Sequence, residues 1–240
     1  MSDQFALVTG GSLNIGKAIC QRLAADGVRV VVLDIVPPEH DAFEHYQAVD
    51  LLNAEATQAC LSELTKTFAF TRLVNNVGVV APASVEDVTL DDFETIMNTN
   101  ARAALLCTQA VIPTMRTHKF GRIVSTASRV VLGKELRTSY SASKGAIVAM
   151  SRTWALELAR AGITVNCIAP GPIATSAFWK NNPPESDEAK AIVDAVPVKR
   201  MGTPEDIAHA ASYLLDERSS FVTGQVHYVC GGLTVGLAGF

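Results

Sequence analysis

The sequence has no cluster of lysine and arginine: its 20 basic residues are scattered among 24 acidic ones, for a net charge of −4. That balance argues against a nucleic-acid or anionic-membrane surface, which needs a concentrated positive face, and leaves small molecules as the expected partners. No uninterrupted apolar run reaches the roughly 18 residues of a membrane span. The opening MSDQFALVTGG enters an apolar stretch at once, without the basic leader and small-residue cleavage site of a signal peptide. Cys20, Cys60, Cys107, Cys167 and Cys230 show neither CxxC nor Cys/His ligand spacing, and His40, His45, His118, His209 and His227 offer no ligand pair. The thiols therefore read as reduced core residues, no metal is expected, and a cytoplasmic location fits.

Charged residues are also scarce, at 18% against 48% hydrophobic, as in a well-packed globular chain that buries part of its surface between subunits. Short β-branched runs recur, each followed by a longer segment of helical character. FALVT (5–9), VRVVVLD (28–34), TRLVNN (71–76), GRIVSTAS (121–128), GITVNCIAP (162–170) and QVHYV (225–229) read as strands, with a weaker one at YQAV (46–49). Their hydrophobicity is nearly continuous, so both faces of the sheet are covered, and their alternation with helices implies parallel βαβ units. The fold class is α/β: one domain over residues 1–240, a doubly wound parallel sheet of about seven strands with helices on both faces. Gly27 marks the end of the first helix, and Thr203 to Asp206 the start of a late one. The turn-forming stretch KNNPPESDE (180–188) lies within an excursion over about 174–200, beyond the carboxyl end of a strand, where a substrate lid or a plain surface loop would sit.

TGGSLNIG (9–16) follows the first strand and opens the first helix, the context in which a glycine-rich turn holds a pyrophosphate at a helix N-terminus. Gly10 and Gly16 stand six apart, and Asn14 occupies a place where another glycine is expected; asparagine tolerates left-handed backbone, so the turn survives. Asp34 ends the second strand, near the ~20-residue distance of the acid that hydrogen-bonds an adenosine ribose. Its charge repels a 2′-phosphate, and neither Leu13, Asn14 nor Ile35 supplies a compensating cation, so NAD(H) is favoured over NADP(H). Tyr140 and Lys144 share one face of a helix that begins at SYSASKGAIVAM. An ammonium there stabilises a phenolate and equips the pair to exchange a proton with an alcohol or carbonyl; a surface pair on an amphipathic helix is the plain alternative.

Taken together, these motifs resemble the short-chain dehydrogenase/reductase family of single-domain Rossmann enzymes over essentially the whole chain. TGGSLNIG resembles TGxxxGxG with Asn14 for the middle glycine, and NNVG (75–78) resembles NNAG with Val77 for alanine. Asp50 in AVDL, Asn100 in NTNARAA, Ser128 in GRIVSTAS, YxxxK at Tyr140 and Lys144, PGPIAT (170–175) and the closing FVTGQVHYVCGG follow in family order. The resemblance implies that Tyr140 is the acid/base, Lys144 lowers its pKa and holds the nicotinamide ribose, Ser128 hydrogen-bonds the substrate oxygen, and Asn100 positions a proton-relaying water. It implies cofactor contacts from Gly10, Ser12, Asn14, Ile15, Gly16, Asp34, Asp50, Leu51, Asn76, Val77, Gly78, Tyr140, Lys144, Pro170, Gly171, Ile173 and Thr175. The expected activity is NAD(H)-dependent interconversion of a secondary alcohol and a ketone. A 3-oxoacyl-thioester reductase of lipid synthesis and a non-catalytic NAD-binding redox sensor are the alternatives. Ser128 and Tyr140 lie twelve apart, one fewer than usual, and Arg129, Lys134 and Arg137 in that interval are candidates for holding an anion. Two helical segments, 101–115 and the one following Tyr140, are apolar around most of their circumference, and the tail GGLTVGLAGF is nearly uncharged. Together with the resemblance they point to a homotetramer.

Overall fold

All seven runs are strands of one parallel sheet in the computed structural model, which describes residues 4–181, 183 and 185–236. In chain order they are β1 (Gln4–Thr9), β2 (Arg29–Asp34), β3 (His45–Ala48), β4 (Ala69–Asn75), β5 (Gly121–Thr126), β6 (Ile163–Pro170) and β7 (Val226–Val229). They are ordered β3-β2-β1-β4-β5-β6-β7 across the sheet. Between them lie the helices α1 (Asn14–Ala25), α2 (Ala54–Thr67), α3 (Leu90–Met97), α4 (Ala103–His118), α5 (Thr138–Leu158), α6 (Ser176–Asn181), α7 (Asp187–Ala195) and α8 (Pro204–Leu215).

Strand side chains alternate between faces, so a sheet covered on both sides needs apolar residues at every position. In β1, Ala6 and Val8 join the core beneath α1 and α8, with Ile19, Leu23, Ile207 and Leu214. Phe5 and Leu7 join the opposite core beneath α2, α4 and α5, with Leu61, Val111, Met115 and Leu158. Each of the larger of these side chains contributes about 1.5–3 kcal/mol on burial. The helix boundaries also follow local chemistry. Gly27 takes φ +80° after α1, and the amides of Gly27 and Val28 donate to Ala24 O and Leu23 O. Thr203 and Asp206 form a reciprocal capping box at the start of α8, with Pro204 in the first turn.

Near the amino-terminal edge of the sheet, Arg72 and Arg122 are paired neighbours on β4 and β5, and both guanidinium groups lie over the Phe120 ring, 5.0 and 4.5 Å from its centroid. Arg72 donates to Leu215 O, and Arg122 donates to Gly121 O, Gly162 O, Asp216 O and Glu217 O. Two cations thereby satisfy carbonyls that the end of α8 leaves without intrahelical donors. Burial pulls both guanidinium pKa values down, and the nearby acids Asp216 and Glu217 oppose that shift.

The excursion anticipated at about 174–200 holds α6 and α7, and a bridge between Ile173 and Gly202 closes its base; of the turn-forming stretch 180–188, residues 182 and 184 lie outside the described residues. Ser186 caps α7 by accepting from Ala189 N at 3.1 Å. All five cysteines are free thiols, four of them buried. Among the described residues there is no group of His, Cys, Asp and Glu able to hold a metal, and no helix is long and apolar enough to cross a membrane.

Candidate active site

At the carboxyl end of β1 the chain turns through Gly10, with φ +64°, and enters α1 at Asn14, whose φ of +48° lies in the left-handed region. Leu13 occupies the N-cap without a side-chain hydrogen bond, and the first turn holds no acid, so the leading amides of α1 have no side-chain acceptor. That suits a diphosphate. Gly16 is obligatory, because a Cβ there would lie 1.8 Å from Gly10 O. Asn14 also makes a long-range tie: its Oδ1 accepts from Ser176 N at 2.9 Å, and its Nδ2 donates to Ser176 Oγ at 3.0 Å. The glycine turn is thereby fastened to the first residue of α6.

Asp34 faces the same turn, accepting from Ser12 N at 3.1 Å and Val36 N at 3.2 Å. Ser12 Oγ donates to Val36 O. His40 supports the turn from outside: its Nδ1 accepts from Ala42 N, which leaves Nε2 protonated to donate to Gly11 O at 3.0 Å. Nothing in its sequence neighbourhood announced that role. Asp50 stands past the end of the adjacent strand β3 and accepts from Leu52 N at 2.9 Å, while the Leu51 side chain is buried and that of Ile15 packs on the core beneath α1. An adenosine diphosphate therefore finds amide donors at the turn and carboxylates at the ends of β2 and β3, and the residues present fit a dinucleotide.

The carboxyl ends of β1, β4 and β5 are stitched together by side chains. Thr9 Oγ1 accepts from Asn76 N and Val77 N, Asn76 Nδ2 donates to Gly10 O, and Thr126 Oγ1 donates to Asn76 Oδ1. Lys144 reaches this seam from α5, where its ammonium donates to Thr126 O at 2.7 Å. Lys144 is only 2% exposed, and burial pushes its pKa down to about 8. Gly78 leaves room for it: a Cβ there would lie 3.1 Å from Lys144 Nζ. Thr9 and Thr126 were absent from the sequence-based site because a threonine at a strand end carries no distinctive signal.

Asn100 lies in a π-helical turn, Asn98–Arg102, that joins α3 to α4. Such turns recur at functional sites, where they re-aim side chains. Asn100 Oδ1 accepts from Val79 N at 2.8 Å, and its Nδ2 donates to Val79 O and to Ser143 Oγ. Ser143 Oγ in turn donates to Tyr140 O at 2.8 Å, so Asn100 ties the loop after β4 to the turn of α5 that carries the tyrosine. The Tyr140 ring centroid is 5.6 Å from Lys144 Nζ. Burial pushes the Tyr140 pKa up, while a hydrogen bond with Ser128 and the positive charge of Arg137 pull it back. Ser128 sits two residues past β5 and also accepts from Val130 N. The site thus unites a half-buried phenol, a hydroxyl that acts on its pKa and a buried amine, an arrangement able to move one proton to or from an oxygen lodged between Ser128 and Tyr140.

Pro170 ends β6, Gly171 N donates to Val229 O, and Thr175 Oγ1 accepts from Phe178 N, so this segment leads from the sheet into α6. A cavity of about 500 Å³ lies beside the segment that follows α7, lined in part by Ile173, Val196, Val198, Val229 and Cys230. None of Asn100, Ser128, Tyr140 or Lys144 lines it, so it is separate from the proton-transfer groups.

A family profile described as enoyl-(acyl carrier protein) reductase matches residues 11–234. Curated relatives include a (2S)-[(R)-hydroxy(phenyl)methyl]succinyl-CoA dehydrogenase subunit of Thauera aromatica, 38% identical over 97% of each chain. A 3-oxoacyl-[acyl-carrier-protein] reductase of Synechocystis is 34% identical over 98% of each. Among solved structures, a gluconate 5-dehydrogenase assignment from Beutenbergia cavernae, with NADP bound at low occupancy, superposes with a TM-score of 0.92 at 31% identity over 98% of each chain. With the sheet order, the glycine turn and the Ser128–Tyr140–Lys144 geometry already in place, these matches establish that the chain belongs to the short-chain dehydrogenase/reductase family, as an oxidoreductase that uses a nicotinamide cofactor.

Proposed function

We propose that the protein is an NAD(H)-dependent oxidoreductase interconverting a secondary alcohol and a ketone, with Tyr140 as acid/base. The observation that carries this reading is the buried Lys144 ammonium, 5.6 Å from the Tyr140 ring centroid and held on Thr126 O at the end of β5, with Ser128 two residues further on. A bound nicotinamide supplies the hydride acceptor for oxidation and the donor for reduction. In oxidation the alcohol carbon gives up a hydride, its hydroxyl proton passes to the Tyr140 oxygen in its phenolate form, which becomes the neutral phenol, and the carbon–oxygen double bond forms. Ser128 orients the oxygen, Lys144 holds a proton at Nζ within the same enclosure, and Asn100 keeps the loop after β4 docked on α5.

The proposed preference for NAD(H) is supported by Asp34: a carboxylate at the end of β2, fixed by Ser12 N and Val36 N, would repel a 2′-phosphate. A 3-oxoacyl-thioester reductase is the second reading, favoured by the relatives that carry that name, and it would draw on NADPH. The decisive experiment follows absorbance of the reduced nicotinamide with secondary alcohols, hydroxy acids and acetoacetyl-CoA, using each cofactor. A higher kcat/KM with NAD(H) and loss of turnover in Tyr140→Phe, with NADH binding kept within a few-fold, support the first reading. A preference for NADPH with acetoacetyl-CoA supports the second, and NADH binding without any turnover identifies a sensor.

The assembly we propose is a homotetramer in the cytoplasm. Leu156 on α5 is 83% exposed and Phe221, just before the edge strand β7, fully so, which leaves apolar surface at both expected contacts. Of the uncharged tail, residues 237–240 lie outside the described residues.

A further inference from the structure

Between Ser128 and Tyr140 the chain forms a wall, RVVLGKELR (129–137), that carries Arg129, Lys134 and Arg137 against the single acid Glu135. The local net charge is +2 on a molecule of net charge −4. The wall is a built element. Val131 N donates to Ser128 O, Gly133 N to Val130 O, and Ser141 Oγ to Val130 O, while Ala83 N from the loop after β4 donates to Leu136 O. It is pinned at both ends to the residues that hold the substrate oxygen and braced against the opposite side of the site.

Arg129 and Arg137 are half-buried, and among the described residues neither of them nor Lys134 forms an ion pair with a carboxylate. Arg137 Nη1 donates only to the neighbouring carbonyl of Leu136, at 2.9 Å. The three cations feel one another: burial and then the charges of Arg129 and Arg137 pull the Lys134 pKa down. Like charges gathered with no carboxylate paired to any of them repel, and an anion between them relieves that cost. Arg137 stands one helical turn before Tyr140, and its charge acts on the phenol's pKa, so an anion held there lies on the same side of the site as the proton-transfer group. Leu132 and Leu136 on the wall and Val79 and Val80 opposite are exposed, which gives a carbon chain apolar surface to lie on.

We infer that this wall recognises the substrate's own acid group: the enzyme takes a hydroxy or oxo acid whose carboxylate is held by Arg129 and Arg137 while its hydroxyl or carbonyl lies between Ser128 and Tyr140. Arginine's planar fork matches a carboxylate with two parallel hydrogen bonds, which selects this anion chemistry over a diffuse charge. The more exposed Lys134 at the rim draws the anion in. The inference rests on the oxidoreductase reading given above.

The test compares 3-hydroxybutyrate with its methyl ester and its CoA thioester, with NAD+, in the wild type and in Arg129→Gln and Arg137→Gln. Wild-type kcat/KM should favour the acid over the ester at least tenfold, and that ratio should fall at least tenfold in each variant, mainly through the KM of the acid. Raising the ionic strength should raise KM for the acid and leave that of the ester in place. A wild-type ratio near one, or a ratio unmoved by both substitutions, overturns the inference while turnover of the ester leaves the oxidoreductase reading intact. A wild-type preference for the thioester that collapses in the variants places a remote phosphate on the wall and overturns the carboxylate assignment. If none of the three is turned over, calorimetric binding of acid and ester to the NADH complex still decides it, since the wild type must bind the acid more tightly and the variants must not.

Discussion

Replacing Lys144 by methionine isolates the cost of keeping an ammonium in a water-poor enclosure. In the folded protein its pKa is lowered from 10.5 to about 8 by burial. Between those two values the unfolded chain holds the proton more firmly than the folded one, so stability rises with pH across that window. Below pH 8 the full penalty of a shift of about 2.5 units applies, which at 1.36 kcal/mol per unit is about 3.4 kcal/mol. At pH 10 most of it is gone, and integrating the linkage relation from pH 7 to pH 10 gives the wild type about 2.5 kcal/mol. Methionine does not titrate, and the other groups are common to both proteins, so the stability difference between the wild type and Lys144→Met reports this one ammonium. The hydrogen bond to Thr126 O sets the offset of that difference, and the pH slope is read independently of it. The assay is urea unfolding of the apoproteins at pH 7, 8, 9 and 10, followed by circular dichroism. The wild type should gain about 2–3 kcal/mol on the variant over that range. A flat difference, or one of opposite sign, refutes the claim that burial dominates the environment of Lys144.

Ser128→Ala should move the pH profile of alcohol oxidation to higher pH, because the hydrogen bond it removes pulls the Tyr140 pKa down against the upward push of burial; kcat/KM between pH 7 and 10.5 reads the displacement, and an unmoved profile argues against that bond. Asn14→Gly keeps the left-handed turn and loses the tie to Ser176, whereas Asn14→Ala loses both and adds about 1–2 kcal/mol of backbone strain. Both should therefore raise KM for NAD+, but only the alanine variant should also unfold at a clearly lower temperature; equal melting temperatures would dismiss the strain argument. Light scattering at micromolar concentration should find a tetramer, and a stable monomer would rule out α5 as a contact.

The strands were legible because a sheet covered on both faces asks for apolar side chains at every position, and few other elements do; the eight residues of β6 are all buried. The glycine turn was legible for a related reason, since Gly10, Asn14 and Gly16 carry backbone demands that few residue types meet. What stayed hidden depends on partners distant in the chain. The tie from Asn14 to Ser176 spans 162 residues, and the bond from Asn76 to Thr126 spans 50, so no local pattern encodes either. The π turn at Asn98–Arg102 was equally silent, because its extra residue changes the direction of Asn100 without changing the apolar spacing on either side. The sequence-based picture of Lys144 as the group that sets the Tyr140 pKa considered charge alone. In the folded chain, burial acts first on both groups, and the cations nearest in effect to the phenol include Arg137.

The brace of Arg72 and Arg122 on Phe120 bears on how such a molecule changes over time. It fastens the end of α8 to the central strands β4 and β5 through main-chain carbonyls that any residue at positions 215–217 would present. Its anchorage is thus indifferent to most substitutions along α8 and to anything that happens at the opposite rim. The loops that choose a substrate can be lengthened, recharged or exchanged while the far end holds the strands in register. A lineage built this way can sample new specificities through mutations that leave its foundation untouched.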